Sequence, residues 1–301
     1  MFSLLMRKTS SVVPPKAPCQ ISMSFAPSKL GQFNALVQVR SSISGRSLLW
    51  AVPIVAIAEA GSLQQLDKLE TPCKTSILRE VDIKLEGLKK EDLLPGEALS
   101  LSKFSQSLNY DESQAMLISR SFRATPIDLI ELSEEEAAKQ NTSYILRFRL
   151  LFEPLRVFVS TIDMILECKN HGRWRIKVDV EALEPEPDDV VNLVAAVGET
   201  DKVSFRLSNR FLGYSNFQAY FSARSSPNFT ITPPTGVLAP FGSDGTQFVV
   251  TFSPVEYGPM ERAQLTIQTE ETQWNYDVTG SYPRYDINDK EIKAKTDSGL
   301  R

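Results

Sequence analysis

The chain has 301 residues, of which 42% are hydrophobic and 23% are charged, and its formal net charge is -4. This length allows two or three domains with cores of their own, and the small net charge argues against nucleic acid as a main partner. No apolar run is long enough to span a bilayer as a helix, so we expect no membrane partner either. The cysteines, Cys19, Cys73 and Cys168, are too few and odd in number for a disulfide framework, which favours a reducing compartment.

The beginning of the chain has two interpretations. The stretch from Met1 to Ser10 is basic, contains serine and lacks acidic residues, as mitochondrial presequences do. Against this, Pro14 and Pro15 would stop an amphipathic helix early. A mitochondrial address therefore stays as an alternative to a chain whose fold starts almost at once.

A short phrase recurs at domain-sized intervals: Phe-x-Pro, followed roughly two dozen residues later by a Trp that opens an alternating strand. The copies are Phe25-Ala26-Pro27 with Trp50, Phe152-Glu153-Pro154 with Trp174, and Phe252-Ser253-Pro254 with Trp274. The residues around them alternate with period two, which predicts strands joined by turns and hairpins. We expect Pro to end the first strand, Gly31 and Gly258 to supply a positive φ in the turn, and each Trp to be buried.

This spacing predicts an all-β protein made of tandem immunoglobulin-like β-sandwiches. Residues 1–62 hold only the last strands of a module, and residues 74–183 read as a divergent sandwich. Residues 190–285 form a complete sandwich and residues 286–301 a polar tail. The first fragment cannot enclose a core alone. It must borrow strands, pack on its neighbour, or belong to a truncated module.

Local signals refine these modules. In the second, Ser133 as N-cap with Glu136 three residues later predicts a short helix or an acidic loop. In the third, four strand-like runs precede the repeated phrase, and Pro233-Pro234-Thr235-Gly236 predicts a turn. The four runs are Val191–Val197, Val203–Leu207, Phe217–Ala223 and Asn228–Thr232.

The search for catalytic chemistry finds little. His171 is the only histidine, and its neighbours Lys169, Asn170 and Gly172 predict a solvated hairpin turn. No Cys or His cluster has metal-ligand spacing, and no Gly-rich loop is followed by the Lys and helix that cradle phosphate. We therefore predict that the chain is not an enzyme. We expect no catalytic or metal-binding residues, no cofactor and no small-molecule substrate.

Two sets of side chains are candidates for protein binding. The first is cationic: Arg147, Arg149, Arg173, Arg175 and Lys177. They alternate with apolar residues on two strands. If those strands belong to one sheet, the cations share a solvent face that could attract acidic tails such as those of tubulin. The alternative is a set of solvated cations partly paired with Asp163 and Glu167.

The second set is aromatic. Phe211 and Tyr214 lie in the loop before the strand that carries Phe217, and they could anchor a partner. Phe217 and Phe221 share one side of that strand, which predicts a core position for both. A third route is strand addition at an exposed sheet edge, because an incomplete module leaves edges unpaired.

The C-terminal module resembles an ASH (Hydin-like) domain, a relative of the major sperm protein fold. The segments that carry the resemblance are Val203–Asn209, Phe229–Pro233, Gly236–Pro240, Thr251–Pro254 with Tyr257-Gly258, Leu265–Thr269, Trp274–Gly280 and Tyr282–Tyr285. The resemblance implies a non-enzymatic structural component of the motile cilium or flagellum, in the axoneme and its central apparatus. The implied partners are other axonemal proteins or microtubules. The rivals are a cytosolic adaptor that binds short acidic peptides, and a mitochondrial or hydrolytic protein.

Overall fold

The computed structural model describes residues 2–5, 12–14, 16–43, 46–93, 95–169 and 171–283. The predicted polar tail, 286–301, and much of the predicted presequence lie outside these ranges. The chain divides into two compact units. The first comprises Met1–Thr71, Thr75–Glu153 and Phe158–Ala182, and the second comprises Pro72–Lys74, Pro154–Val157 and Leu183–Arg301.

The first unit contains two sheets that enclose a core. Its strands are β1 (Phe2–Leu4), β2 (Met23–Phe25), β3 (Gly31–Ile43), β4 (Arg46–Ala58), β5 (Leu63–Gln65), β6 (Leu69–Pro72), β7 (Ile77–Lys84), β8 (Phe104–Asn109), β9 (Phe122–Glu131), β10 (Tyr144–Phe152), β11 (Phe158–Cys168) and β12 (Gly172–Leu183). One sheet has the order β7-β10-β9, and the other has the order β5-β12-β11-β8 with β6 also paired to β12. Alternate residues of β10 and β12 are fully buried, and the ring of Phe152 meets that of Phe158 of the other sheet at 5.9 Å.

Short helices connect these strands. They are α1 (Ala115–Ser121) and α2 (Glu134–Gln140), with 3-10 turns at Lys90–Asp92, Leu101–Lys103 and Glu112–Gln114. The helix predicted after Ser133 is confirmed as α2, because the Glu136 carboxylate accepts the Ser133 backbone N–H at 3.2 Å and its hydroxyl at 2.8 Å. This contact holds the start of the helix.

The second unit is a complete two-layer sandwich. Its strands are β13 (Asp189–Val194), β14 (Asp201–Leu207), β15 (Ser215–Phe221), β16 (Phe229–Thr232), β17 (Thr235–Leu238), β18 (Thr246–Phe252), β19 (Glu261–Gln268) and β20 (Gln273–Ser281). One sheet has the order β13-β20-β19-β15-β17 and the other β14-β18-β16. Aromatic rings join the layers: Phe217 meets Phe248, and Phe205 meets Tyr276, each pair at 4.9 Å. The all-β, immunoglobulin-like prediction is thus confirmed.

The sequence pattern does not predict one strand of this unit. The Pro233-Pro234-Thr235-Gly236 segment predicts a turn, but β17 begins within it at Thr235 and pairs with β15 at the edge of the five-stranded sheet. An edge position tolerates Pro and Gly, because only one side of the strand needs ladder hydrogen bonds.

The repeated phrase does not have the same environment in its three copies. Trp174 and Trp274 are 0% and 5% exposed, whereas Trp50 is 49% exposed. The prediction that each Trp is buried is therefore wrong for Trp50. The reason is that β3 and β4 form a two-stranded sheet of their own, with no further described strand hydrogen-bonded beside it. The turn glycines differ as well, since Gly31 has a φ of 128° while Gly258 has no positive φ.

Candidate protein-binding surfaces

The lone histidine is not a solvated turn residue. His171 is buried, and its Nε2 lies 3.1 Å from Oε1 of Glu97, a carboxylate that also receives the Lys103 ammonium at 2.8 Å. The prediction of a solvated turn is wrong because Glu97 lies far away in the sequence and no local pattern announces it. His171 and Lys103 thus share one carboxylate.

The two buried thiols, Cys73 and Cys168, offer little nucleophilic reactivity. Burial raises the pKa of Cys73 to about 12 and that of Cys168 to about 11. Both thiols are therefore protonated near neutral pH, and the thiolate is the reactive form. Within the described ranges, no group of three His, Cys, Asp or Glu side chains could hold a metal ion. Within the same ranges, no helix has the length and apolar character needed to cross a membrane.

The five predicted cations do not share a face. Arg147 and Arg149 lie on β10, in the β7-β10-β9 sheet, whereas Arg173, Arg175 and Lys177 lie on β12, in the β5-β12-β11-β8 sheet. The premise of one common sheet is therefore wrong. The alternating pattern correctly places these side chains opposite the core residues of each strand, but it carries no information on which sheet a strand joins.

Most of these cations already have acidic neighbours. Arg147 makes a two-pronged contact with Asp82, with nitrogen-to-oxygen distances of 2.7 and 3.0 Å, and the pKa of the Asp82 carboxyl is lowered by this hydrogen bonding. Arg149 pairs with Glu80 at 2.9 Å on the same strand pair.

On β12, Arg173 contacts Glu59 at 2.9 Å and Glu167 at 3.2 Å. Lys177 lies 4.0 Å from Asp179, and Arg175 is in no ion pair among the residues that the structure describes. The alternative of surface cations partly paired with acidic neighbours is therefore the better description of their geometry, although of the two predicted partners only Glu167 is in an ion pair among the described residues. A role of the five in binding stays a prediction.

The predicted aromatic loop belongs to a larger apolar patch at one end of the second unit. Leu212, Tyr214 and Phe241 are large side chains that are between 63% and 85% exposed, and we call them the loop-end patch. Leu212 and Tyr214 come from the β14–β15 loop, and Phe241 comes from the β17–β18 loop. Phe211, predicted with Tyr214, lies in the same β14–β15 loop and is half-buried.

The two loops are fixed to each other by hydrogen bonds. The buried Asn209 donates its backbone N–H to the carbonyl of Ala239 at 2.7 Å and its side-chain amide to the carbonyl of Gly213 at 2.9 Å. The backbone N–H of Phe241 in turn donates to the carbonyl of Phe211 at 2.8 Å. The patch is therefore held in place before any partner arrives, which lowers the entropic cost of binding.

Sequence reasoning found Tyr214 but missed Leu212 and Phe241. Leu212 is adjacent to Phe211 and could have been included on hydrophobicity alone. Phe241 lies beyond two intervening strands, and the only hint of its role was the Pro240-Phe241-Gly242 turn, which presents its middle residue to solvent.

A second surface feature of this unit is cationic. A cavity of about 340 Å³ is lined in part by Arg224, Arg262, Ser225 and Asp277. The two arginines make no ion pair among the described residues. Ser225 is fixed in the wall, because its hydroxyl accepts the backbone N–H of Gln264 at 3.0 Å.

These features define a protein of tandem immunoglobulin-like β-sandwiches. A family model described as "CFAP47-like, immunoglobulin-like domain" matches residues 57–183. The chain is a CFAP47-like protein with immunoglobulin-like modules.

Two curated relatives carry the same name. The chain is 24% identical to cilia and flagella-associated protein 47 of Mus musculus over 335 residues, which covers 94% of this chain and 10% of that protein. It is 32% identical to the Homo sapiens protein over 206 residues, covering 68% of this chain and 6% of that protein. The chain thus spans about a tenth or less of these relatives.

Among solved structures, the ASH/PapD-like domain 7 of human CEP192 matches 32% of this chain and 82% of that chain, at 15% identity and a TM-score of 0.25.

Proposed function

We propose that this chain is a non-enzymatic scaffold component of the cilium or flagellum, and that it docks other axonemal proteins through the loop-end patch. The observation that carries the docking proposal is the exposure of Leu212, Tyr214 and Phe241 on two loops that are hydrogen-bonded to each other. The ciliary setting is supported by the curated relatives, which are cilia- and flagella-associated proteins. The axoneme, and within it the central apparatus, is the specific site that we propose.

The chemistry of the patch favours a protein partner. A leucine and two aromatic rings form an apolar centre, and Tyr214 adds a hydroxyl that can bond to a partner's backbone. Exposed apolar patches, unlike single exposed apolar side chains, often mark protein-interaction sites. The matching segment of the partner should present an apolar knob or groove with few charges at its centre.

The direct test is localisation. A tagged chain expressed in ciliated cells should accumulate in the axoneme, and the double variant Tyr214→Ser, Phe241→Ser should lose most of that signal. Tyr257→Ser serves as the matched control, because Tyr257 is a comparably exposed tyrosine in the β18–β19 loop of the same unit. A diffuse or mitochondrial signal for the unmodified chain would contradict the ciliary proposal. Equal retention of all three proteins would contradict the docking surface.

A second candidate function is the binding of short acidic peptides in the cytosol. The five predicted cations do not support it, but the cavity lined by Arg224 and Arg262 does, because both guanidinium groups are in no ion pair among the described residues. A synthetic peptide rich in Glu and Asp should bind the purified chain in fluorescence anisotropy, and Arg262→Glu should weaken that binding at least tenfold. The control is Arg206→Glu, which changes an exposed arginine of β14. Binding that both variants retain would exclude this cavity.

A further inference from the structure

One face of the β3–β4 hairpin carries Trp50, the tryptophan of the first copy of the repeated phrase. Because residues paired directly across an antiparallel ladder lie on the same side of the sheet, the pairs Val39–Trp50 and Val37–Val52 share one face. We call the residues Val37, Val39, Leu48, Trp50 and Val52 the Trp50 face. The opposite face alternates with it and is mixed: it carries Gln38 and Arg40 together with exposed apolar side chains such as Leu49 and Val55.

The two buried copies of the repeated phrase show what normally covers such a face. In the first unit, Trp174 pairs with Leu166, and in the second, Trp274 pairs with Ile267, as Trp50 pairs with Val39. In each unit the strand that ends in Phe-x-Pro, β10 or β18, lies in the three-stranded sheet opposite the hairpin. The apolar side of that sheet removes the Trp from water.

The flanking strands follow a common pattern too. The first hairpin strand has an antiparallel neighbour, β8 beside β11 and β15 beside β19. The second has a parallel neighbour, β5 beside β12 and β13 beside β20. Strands β3 and β4 have neither among the described residues.

One strand of the missing layer is already present. Strand β2, which ends in the Phe25 of the repeated phrase, lies over the base of the hairpin, where the rings of Phe25 and Phe33 meet at 5.5 Å. Phe2 of β1 adds a contact with Phe25 at 4.8 Å. The cover ends there: Leu48, Trp50 and Val52 are about half exposed, and Val37 and Val39 are partly buried.

We propose that the Trp50 face is completed by β-strands of an immunoglobulin-like module, supplied by polypeptide outside these 301 residues. The incoming strands add antiparallel to β3 and parallel to β4, and they lay the apolar side of an opposing sheet over Trp50. Strand addition satisfies the open backbone groups of both edges, while the opposing sheet removes the face from water.

An estimate of area decides against a second copy of the hairpin as the occupant. Two strands of this length make a face roughly 45 Å long and roughly 10 Å wide, so two copies packed face to face bury on the order of 900 Å². Stable interfaces begin at about 1,200 Å². Such a pair also leaves all four strand edges unpaired. Module strands cover both the face and the edges.

The test uses the full 301-residue chain with a photo-crosslinking amino acid in place of Val52. The matched control carries it in place of Val55, the same residue type on the same strand but on the opposite face, with 61% exposure against 50%. After irradiation in ciliated cells, peptide-resolved mass spectrometry identifies the crosslinked segment. We expect the Val52 position to capture, at least fivefold over Val55, peptides that alternate apolar and polar residues within an immunoglobulin-like module.

Two results would overturn the proposal. One is capture at Val52 no greater than at Val55. The other is self-association: if the purified chain sediments as a dimer that Val52→Asp converts to a monomer while Val55→Asp does not, the occupant is a second copy. In the supporting case the purified chain is monomeric, and iodide quenches a fluorescence component that Trp50→Phe removes.

Discussion

The two complete sandwiches and the β3–β4 hairpin carry the same repeated phrase, but its tryptophan is buried in the sandwiches and half exposed in the hairpin. Trp174 and Trp274 each close a core between two sheets, whereas Trp50 is half exposed on a sheet that has no opposing layer beyond β2 among the described residues. The comparison shows that the phrase encodes a hairpin that carries Trp on one face, and that burial of this Trp in the two sandwiches depends on strands from the opposing sheet. The hairpin is local, whereas the core is not.

The largest expected loss of stability follows from replacing a buried Trp of the repeated phrase. Replacing Trp174 with Ala removes a fully buried side chain and the hydrogen bond from its Nε1 to the carbonyl of Glu86 at 3.0 Å. We expect the free energy of unfolding of the first unit to fall by about 3–5 kcal/mol. Calorimetry should then show one transition shifted strongly downwards and the other nearly unchanged. Two transitions that move together would contradict the assignment of Trp174 to a core of its own.

The next effect is at the equivalent strand of the second unit. A Cβ added at Gly280 would lie 2.5 Å from the Phe252 ring, which is fully buried and cannot move aside. Gly280→Ala should therefore lower the stability of this unit by about 1–3 kcal/mol through overpacking. Gly258→Ala is the control, because the nearest atom to its added Cβ is 3.9 Å away. Equal melting temperatures for the two variants would show that the core of the second unit is looser than the structure has it.

These two positions also show how far the sequence alone could go. Period-two alternation places Trp174, Trp274 and their neighbours on inward faces correctly, because alternation is a local property of each strand. Sheet membership is not local, so the alternation within β10 and β12 cannot show that their cations lie on different sheets. Local patterns also fail to predict three other features, because each depends on a segment that is distant in the sequence or missing. They are the contact between His171 and Glu97, the edge strand β17 and the exposure of Trp50.

A smaller effect concerns how the stability of the second unit falls in acid, and it depends on the Glu261 carboxyl. Burial raises the pKa of the Glu261 carboxyl, but hydrogen bonds from Ser226, Asn228 and Tyr282 outweigh it and hold that pKa below its usual value. A depressed pKa in the folded state stabilises the unit above the unfolded value of about 4.3, and this contribution is lost as the pH falls through the folded pKa.

The variant Glu261→Gln should therefore flatten the fall in melting temperature of the second unit below about pH 4.3. It should also lower stability at pH 7, where the charged form makes its hydrogen bonds. Glu199→Gln, at an exposed glutamate of the same unit, should leave the acid response as it is. An unchanged acid response in Glu261→Gln would refute the role of this carboxylate.

The smallest loss of stability is expected at Trp50, which belongs to the same repeated phrase but is only partly covered by other strands. Trp50→Ala removes a side chain that is about half exposed on a two-stranded sheet, so the transfer of apolar surface to water is small and no enclosed cavity is left behind. We expect a change of about 0.5 kcal/mol or less in the unfolding of the purified chain, against the several kcal/mol expected for Trp174. Calorimetry of the two variants side by side measures the difference. A loss at Trp50 as large as that at Trp174 would mean that the face is already covered in the isolated chain. In ciliated cells, we propose, strands of an immunoglobulin-like module complete the face. There Trp50→Ala should lower the stability of the chain far more, because Trp50 then occupies the buried position that Trp174 has in its own core.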